Sequence, residues 1–69
     1  MAMKDVAKVI EIVGSSEKSW TDAADKAVAK ASKTINNITG IQVKQMTASC
    51  KKGKITLYKT TLKVAFGLE

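Results

Sequence analysis

Residues 19–37 read SWTDAADKAVAKASKTINN, and this is the stretch of the chain whose pattern predicts a helix. Its apolar residues recur at three- and four-residue intervals, which places them on one face of a helix with 3.6 residues per turn. Ser19 can cap the first turn, and Asp22 three residues later gives a pattern similar to a capping box. The apolar face is mostly alanine, so the helix backbone can approach its partner closely. It consists of Trp20, Ala23, Ala24, Ala27, Val28, Ala31 and Ile35.

The rest of the chain has the composition and alternation of β-strands. The three predicted strands cover residues 6–13, 41–50 and 55–68. A change of parity near Gln45 predicts a β-bulge in the second strand. The tetrapeptide KKGK at residues 51–54 predicts a tight hairpin turn in which Gly53 takes a positive φ.

These elements predict an α+β fold, a β-α-β-β subunit formed by one domain over residues 1–69. A right-handed crossover through the helix makes the first two strands parallel to each other. The hairpin then places the third strand between them and antiparallel to both. We therefore expect a three-stranded antiparallel/mixed sheet in the order 1-3-2 that partly wraps one helix.

The lengths of these elements predict an oligomer. The third strand, roughly 14 residues at about 3.3 Å each, spans about 45 Å. The helix, roughly 18 residues at about 1.5 Å each, spans about 27 Å and cannot cover that sheet. Both faces of the first strand are also half apolar, and no proline blocks the strand edges. A closed homo-oligomer would cover the remaining apolar surface.

Composition limits the class of protein. A chain of 69 residues has a small core, and its usual supplements are disulfides, a metal or oligomerisation. One cysteine, Cys50, allows no intrachain disulfide, and the absence of histidine removes the commonest transition-metal ligand. The sequence has no signal-peptide pattern and no long apolar run. We expect a cytoplasmic protein that does not interact with membranes.

Twelve lysines and no arginine oppose six acidic residues, for a net charge of +6. Such an excess is compatible with a polyanionic partner. Specific recognition of bases and phosphates favours the guanidinium fork, however, and stacking aromatic residues are few. The sequence therefore favours a solvated lysine surface over a nucleic-acid partner.

No constellation of side chains predicts catalysis. Asp22 and Asp25 lie near a helix N-terminus, where carboxylates are stabilised by the helix dipole. Trp20 at the helix start is typical of an amphipathic side chain that covers the edge of a core, although a ligand platform is the alternative. We therefore expect that the protein is not an enzyme.

Four short segments together resemble the dodecin family. They are VIEIVGSS at residues 9–16, SW followed by DA within residues 19–23, ASKTI at residues 31–35 and LKVAFGLE at residues 62–69. Their order and spacing match without an obvious gap from about residue 8 to the end. The resemblance implies a hollow homododecamer of cubic symmetry. It also implies a small-ligand storage or scavenging role, with flavins such as riboflavin or FMN bound in pairs at a two-fold interface.

The resemblance also places two ligand-binding positions. The family's flavin-stacking tryptophan falls on Gly40, and its ring-binding glutamine falls on Lys59. Stacking on an aromatic ring contributes about 1–3 kcal/mol per contact, so its loss predicts weakened or lost flavin binding. Replacing a neutral amide by the Lys59 ammonium gives a more positive pocket, which would suit an anionic ligand.

Two functions therefore remain open at the level of sequence. The first is a dodecin-like shell that binds a small ligand near Gly40 and Lys59 and has little affinity for flavin. The second is a cationic shell without a flavin role that binds polyanions such as nucleic acid. Twelve chains would carry a formal charge of 12 × (+6) = +72, which attracts polyanions at low salt.

Overall fold

The computed structural model describes residues 6–67. The chain forms, in order, the strand β1, the helix α1 and the strands β2 and β3. Their bounds are Ala7–Ser16 for β1, Trp20–Ala31 for α1, Ile38–Lys51 for β2 and Lys54–Gly67 for β3. The predicted extension of the third strand to Leu68 lies outside the described residues.

The three strands form one sheet in the order β1-β3-β2. β3 is central and antiparallel to both neighbours, so β1 and β2 run in the same direction without touching. The predicted α+β class, the β-α-β-β order and the strand order 1-3-2 are confirmed. The helix packs on β1 and β3. On the corresponding side of β2, Ile38 packs against the core, and the rest of the strand is largely uncovered.

The helix begins as predicted and ends earlier. Ser19 is the N-cap, and its hydroxyl oxygen accepts a hydrogen bond from the backbone N–H of Asp22 at 2.9 Å. The predicted end near residue 37 is wrong, because regular helix stops at Ala31. The Ser32 hydroxyl donates a hydrogen bond to the carbonyl of Ala29 at 2.8 Å. The backbone hydrogen bonds that follow form a last turn that is tighter and irregular. Asn37 then takes a φ of 63°, which redirects the chain into β2.

β1 is longer than the sequence predicts. The expected end at residue 13 is wrong, because Gly14 pairs with Thr60 and Ser16 pairs with Tyr58 in the sheet. Gly14 is buried beneath the helix, and a Cβ placed on it would lie 2.1 Å from the carbonyl oxygen of Ala23. This glycine therefore serves close helix–sheet packing rather than a turn.

The hairpin and the bulge follow the prediction. Lys52 and Gly53 both have positive φ, 52° and 78°, as a two-residue turn of the type I′ class requires. The β2–β3 register shifts between Val43 and Gln45, which confirms the bulge near Gln45. A further shift lies between Ile38 and Gly40. The predicted start of the second strand at residue 41 is wrong, because β2 begins at Ile38.

The core is small and lies between α1 and the central strand. Ala27, Leu62 and Val64 form its buried cluster, with partly buried side chains packed around them. The alanine face of the helix allows this contact, as the sequence predicts. Several large apolar side chains remain 43–61% exposed on the two faces of the sheet and at its ends: Val6, Val9, Val13, Ile41, Val43, Met46 and Ile55. The chain measures 50 × 19 × 16 Å, and a 12-residue helix of about 18 Å covers less than half of that length.

A hydrogen bond between Ser16 and Asp22 joins the end of β1 to the first turn of α1. The Ser16 hydroxyl donates to a carboxylate oxygen of Asp22 at 2.5 Å, and Lys26 lies 3.3 Å from the same oxygen. The bond from Ser16 is the largest cause of a pKa of Asp22 below its usual value of 3.8, and Lys26 and Lys18 lower it further against the opposing effect of desolvation. The carboxylate at Asp22 thus acts in local structure, as predicted for an acidic residue in a first helical turn.

Replacement Ser16→Ala should reduce the acid sensitivity of folding. Because the folded pKa of Asp22 is depressed, its ionised form stabilises the fold above the usual pKa, and this contribution is lost as pH falls through the folded pKa. The variant should be less stable than wild type near pH 6 and should lose less stability when the pH drops to about 2. Denaturant midpoints at both pH values measure this. Ser19→Ala removes the N-cap, costs about 1 kcal/mol at either pH and serves as the control. If stability depended on pH in the same way in wild type and in Ser16→Ala, the hydrogen bond from Ser16 would not be the cause of the lowered pKa of Asp22.

Candidate ligand-binding site

A shallow depression lies on the face of the sheet opposite the helix, around Gly40. We call this the outer face. Gly40 on β2 and Val9 on β1 both pair with Ala65 on the central strand, so the three residues form one row across the sheet. Two of the three side chains in this row are small or absent, which leaves a cavity of about 500 Å³. Its lining is Val9, Gly40, Ile41, Gln42, Lys63 and Ala65.

The next row along the sheet is charged. Glu11 and Gln42 flank Lys63 on the central strand. Lys44 spans the central strand from β2 and contacts both carboxylate oxygens of Glu11, at 3.1 and 3.3 Å. Among residues 6–67, no acidic side chain forms an ion pair with Lys63. The depression therefore has an apolar floor and an exposed ammonium group at one side.

Lys59, the second sequence-predicted position, lies elsewhere on the same face. It pairs with Ser15 on β1 and with Thr47 on β2, six residues along β3 from the row of Gly40. At about 3.3 Å per residue this separates the two rows by about 20 Å. A single chain thus does not bring Gly40 and Lys59 together around one ring.

Aromatic side chains are absent from the outer face of the sheet. Tyr58 and Phe66 alternate with outer-face residues and point to the helix side. The Trp20 indole packs edge-on against Tyr58, with ring centroids 4.8 Å apart, and donates to the carbonyl of Thr47 at 2.8 Å. Trp20 therefore ties the helix start to the sheet, in agreement with a structural role. These three are all the aromatic residues of the chain, so none can stack on a ligand beside Gly40 within one subunit.

A second cavity of about 560 Å³ lies between the outer edge of β1 and the end of α1. Its floor includes Ile10, Ile12 and Ala27, and lysines on the helix side lie at its rim. Because β1 is an edge strand, this cavity also borders unpaired backbone hydrogen-bonding groups. Such a surface is typical of contact with another polypeptide.

Comparison with known proteins assigns the family. The sequence model of the dodecin family matches residues 6–69. The chain belongs to the dodecin family. It is 33% identical to the dodecin of Thermus thermophilus over 67 residues, which cover 97% of each chain. It is 42% identical to the calcium dodecin of Mycobacterium tuberculosis over 62 residues, which cover 88% of this chain and 86% of the relative. The dodecin of Streptomyces coelicolor superposes with a TM-score of 0.89 at 30% identity, over 93% of this chain and 91% of that one.

Dodecins are small-ligand-binding proteins, so the predicted membership of this chain in a family of such proteins is confirmed. The M. tuberculosis relative is described as calcium-chelating. Within residues 6–67 of this chain, no three His, Cys, Asp or Glu side chains cluster as metal ligands. The same part of the chain has no helix long and apolar enough to cross a bilayer.

The sequence prediction missed the residues that line the depression with Gly40. Lys63 and Gln42 are its polar side chains, whereas the resemblance pointed to Lys59. Strand alternation could have placed Lys63 and Ala65 on one face. Pairing of Gly40 with Ala65 depends on the bulge beside Ile38, which the sequence does not specify.

Proposed function

We propose that this dodecin is a ligand-binding protein of the cytoplasm, a single domain over residues 1–69 that assembles as a hollow homododecamer and has little affinity for flavins. The observation that carries the proposal is the open backbone at Gly40. A Cβ placed there meets no atom within 4 Å, and no aromatic side chain lies on that face of the sheet. The family's stacking contact with a flavin therefore has no counterpart in the subunit.

The exposed apolar side chains support assembly. Ile41, Val43 and Met46 line the helix side of β2 and remain 46%, 43% and 56% exposed because the helix lies over the other two strands. Val9 and Val13 are exposed on the outer face. A soluble monomer seldom leaves such contiguous apolar strands open to water, and a closed homo-oligomer covers them.

Assembly also bears on the two predicted site positions. Because Gly40 and Lys59 lie about 20 Å apart on one subunit, both can reach one ligand only if a second copy supplies one of them. A ligand shared at a two-fold interface meets this condition. Gly40 and Lys59 therefore remain our predicted ligand positions, contributed by different copies.

The test combines sizing with a flavin titration of the wild-type chain. Light scattering should give about 89 kDa, twelve times the chain mass of 7.4 kDa. The fluorescence of riboflavin and of FMN should be quenched only at protein concentrations well above micromolar, because the stacking contribution to binding is lost. A monomeric mass would contradict the assembly, and quenching at micromolar or tighter affinity would contradict the loss of flavin binding.

A second candidate function rests on the end of the β2–β3 hairpin. Residues 51–54 carry three exposed lysines in four positions, beside the exposed thiol of Cys50. Repeated around a shell, these tips would attract polyanions such as nucleic acid. Binding to DNA that weakens steeply with added salt would favour this function, and no binding at about 50 mM salt would exclude it.

A further inference from the structure

The positive charge of the chain is concentrated on the β2–β3 hairpin. Residues 38–67 contain six of the 12 lysines and none of the six acidic residues, so the hairpin carries 6 − 0 = +6 and the rest of the chain 6 − 6 = 0. One of these lysines, Lys44, is paired with Glu11 on β1 at 3.1 Å. This distribution makes the hairpin, rather than the whole surface, the part of the chain that attracts anions.

The free end of the hairpin holds three of these lysines. Lys51, Lys52 and Lys54 are all exposed, and within residues 6–67 none of them forms an ion pair. β1 ends at Ser16, opposite Tyr58, which is four residues or about 13 Å from Lys54 along β3. The end of the hairpin therefore projects beyond β1, with its three charges unbalanced by the rest of the subunit.

Two of the three lysines face each other. Lys51 and Lys54 are register partners on either side of the turn formed by Lys52 and Gly53. Their side chains therefore leave the same face of the hairpin, with Cβ atoms about 5 Å apart, and like charges at such positions destabilise a strand pair. An anion held between the two ammonium groups removes this repulsion. A second anionic group linked to the first lies within reach of Lys52 in the turn.

The types of residue at the hairpin end indicate which anion it suits. Lysine binds phosphate as a point charge, whereas recognition of planar groups and of bases favours arginine, which the chain lacks. Binding of single-stranded nucleic acid also relies on aromatic side chains that stack on the bases. Residues 47–57 contain no aromatic residue, and Tyr58 is packed edge-on against Trp20. The hairpin end therefore suits a ligand made of phosphate groups alone.

We propose that residues 51–54 bind linear polyphosphate. Lys51 and Lys54 hold one phosphate group between them, and Lys52 contacts the next group along the chain. The inference goes beyond both functions proposed above, because the site lies away from Gly40 and Lys59 and its ligand carries no bases.

A series of linked phosphates tests this by calorimetry at low salt, without divalent cations. Wild-type protein should bind tripolyphosphate about tenfold more tightly than phosphate, with pyrophosphate between them, because each further exposed ion pair contributes up to about fivefold. Lys51→Gln/Lys54→Gln should bind tripolyphosphate about tenfold more weakly than wild type, and Lys51→Arg/Lys54→Arg should retain binding.

The matched control is Lys30→Gln/Lys33→Gln. It removes two exposed lysines with the same sequence spacing and makes the same change in net charge, but at the helix and its end. Its affinity for tripolyphosphate should stay within about twofold of wild type, because these lysines contribute only to the screened field of the whole protein.

Three results would overturn the inference. One is the absence of tripolyphosphate binding by the wild-type protein at low salt. Another is an equal loss of affinity in the hairpin variant and in the helix control, which would show attraction by net charge alone. The third is a thymidine oligonucleotide that binds as tightly as tripolyphosphate at the same concentration of phosphate groups, which would assign the hairpin end to nucleic acid instead. Failure of the proposed ligand-binding shell is read separately, from riboflavin titration and the measured mass.

Discussion

Replacement of Gly14 by alanine should destabilise the protein by about 2–3 kcal/mol, although it adds a single methyl group. The ideal Cβ position lies 2.1 Å from the carbonyl oxygen of Ala23 and 2.9 Å from the Ala27 side chain. Neither is the flexible end of a long side chain, so the helix itself has to move away from the sheet. Such a movement would also loosen the contact of Ala27 with Leu62 and Val64.

Thermal or denaturant unfolding measures this effect, with all variants at one protomer concentration because oligomerisation contributes to stability. A loss of this size corresponds to a decrease in Tm of about 10 °C or more. Gly40→Ala is the matched control. Its Cβ meets nothing within 4 Å, so stability should stay within about 0.5 kcal/mol of wild type or rise slightly. Equal stability of Gly14→Ala and Gly40→Ala would show that the helix accommodates the methyl group.

The order and type of the elements could be predicted because they depend on local patterns. The alanine periodicity from Ala23 to Ala31 identifies a helix, and the KKGK turn fixes which strands form the hairpin. With one helix between the first two strands, few topologies remain, and the observed order β1-β3-β2 is the simplest of them. The packing role of Gly14 could not be predicted. The atom that leaves no room for a Cβ there is the backbone carbonyl oxygen of Ala23, nine residues away on the helix.

The end of the helix and the residues around Gly40 could not be predicted from local sequence patterns. Thr34 and Ile35 continue the helical period, yet Ser32 and the positive φ of Asn37 end the helix after Ala31. In the site, Gly40 was named from the resemblance, whereas its neighbour Lys63 follows from strand register. Register in β2 is shifted at three irregular positions, and a shift of one residue exchanges the faces of a strand. The sequence therefore names Gly40 as a predicted site position, but it does not determine which side chains surround Gly40.

Gly40→Trp should restore flavin affinity by about 10- to 100-fold, the largest functional effect we expect from a single replacement. Gly40 lies in β2 with open space at its Cβ position, and it has no positive φ. Tryptophan is favourable in strands, so the backbone should accept the change. The new indole would stand on the outer face beside Val9 and Ala65, where the subunit now has no aromatic ring. A stack of about 1–3 kcal/mol corresponds to roughly one to two decades in Kd.

A riboflavin titration followed by flavin fluorescence quenching measures the gain, with sizing to confirm that each variant keeps the assembly of the wild type. Gly40→Leu separates stacking from simple burial, because leucine adds apolar surface without a flat π-system. Gly40→Trp should bind riboflavin at least tenfold more tightly than Gly40→Leu. Adding Lys59→Gln should strengthen binding further, because a neutral amide both donates and accepts at the ring edge. If Gly40→Trp binds riboflavin no better than wild type or Gly40→Leu, the empty position at Gly40 is not the cause of weak flavin binding. The two-fold pairing of Gly40 with Lys59 of a second copy would then lose its support.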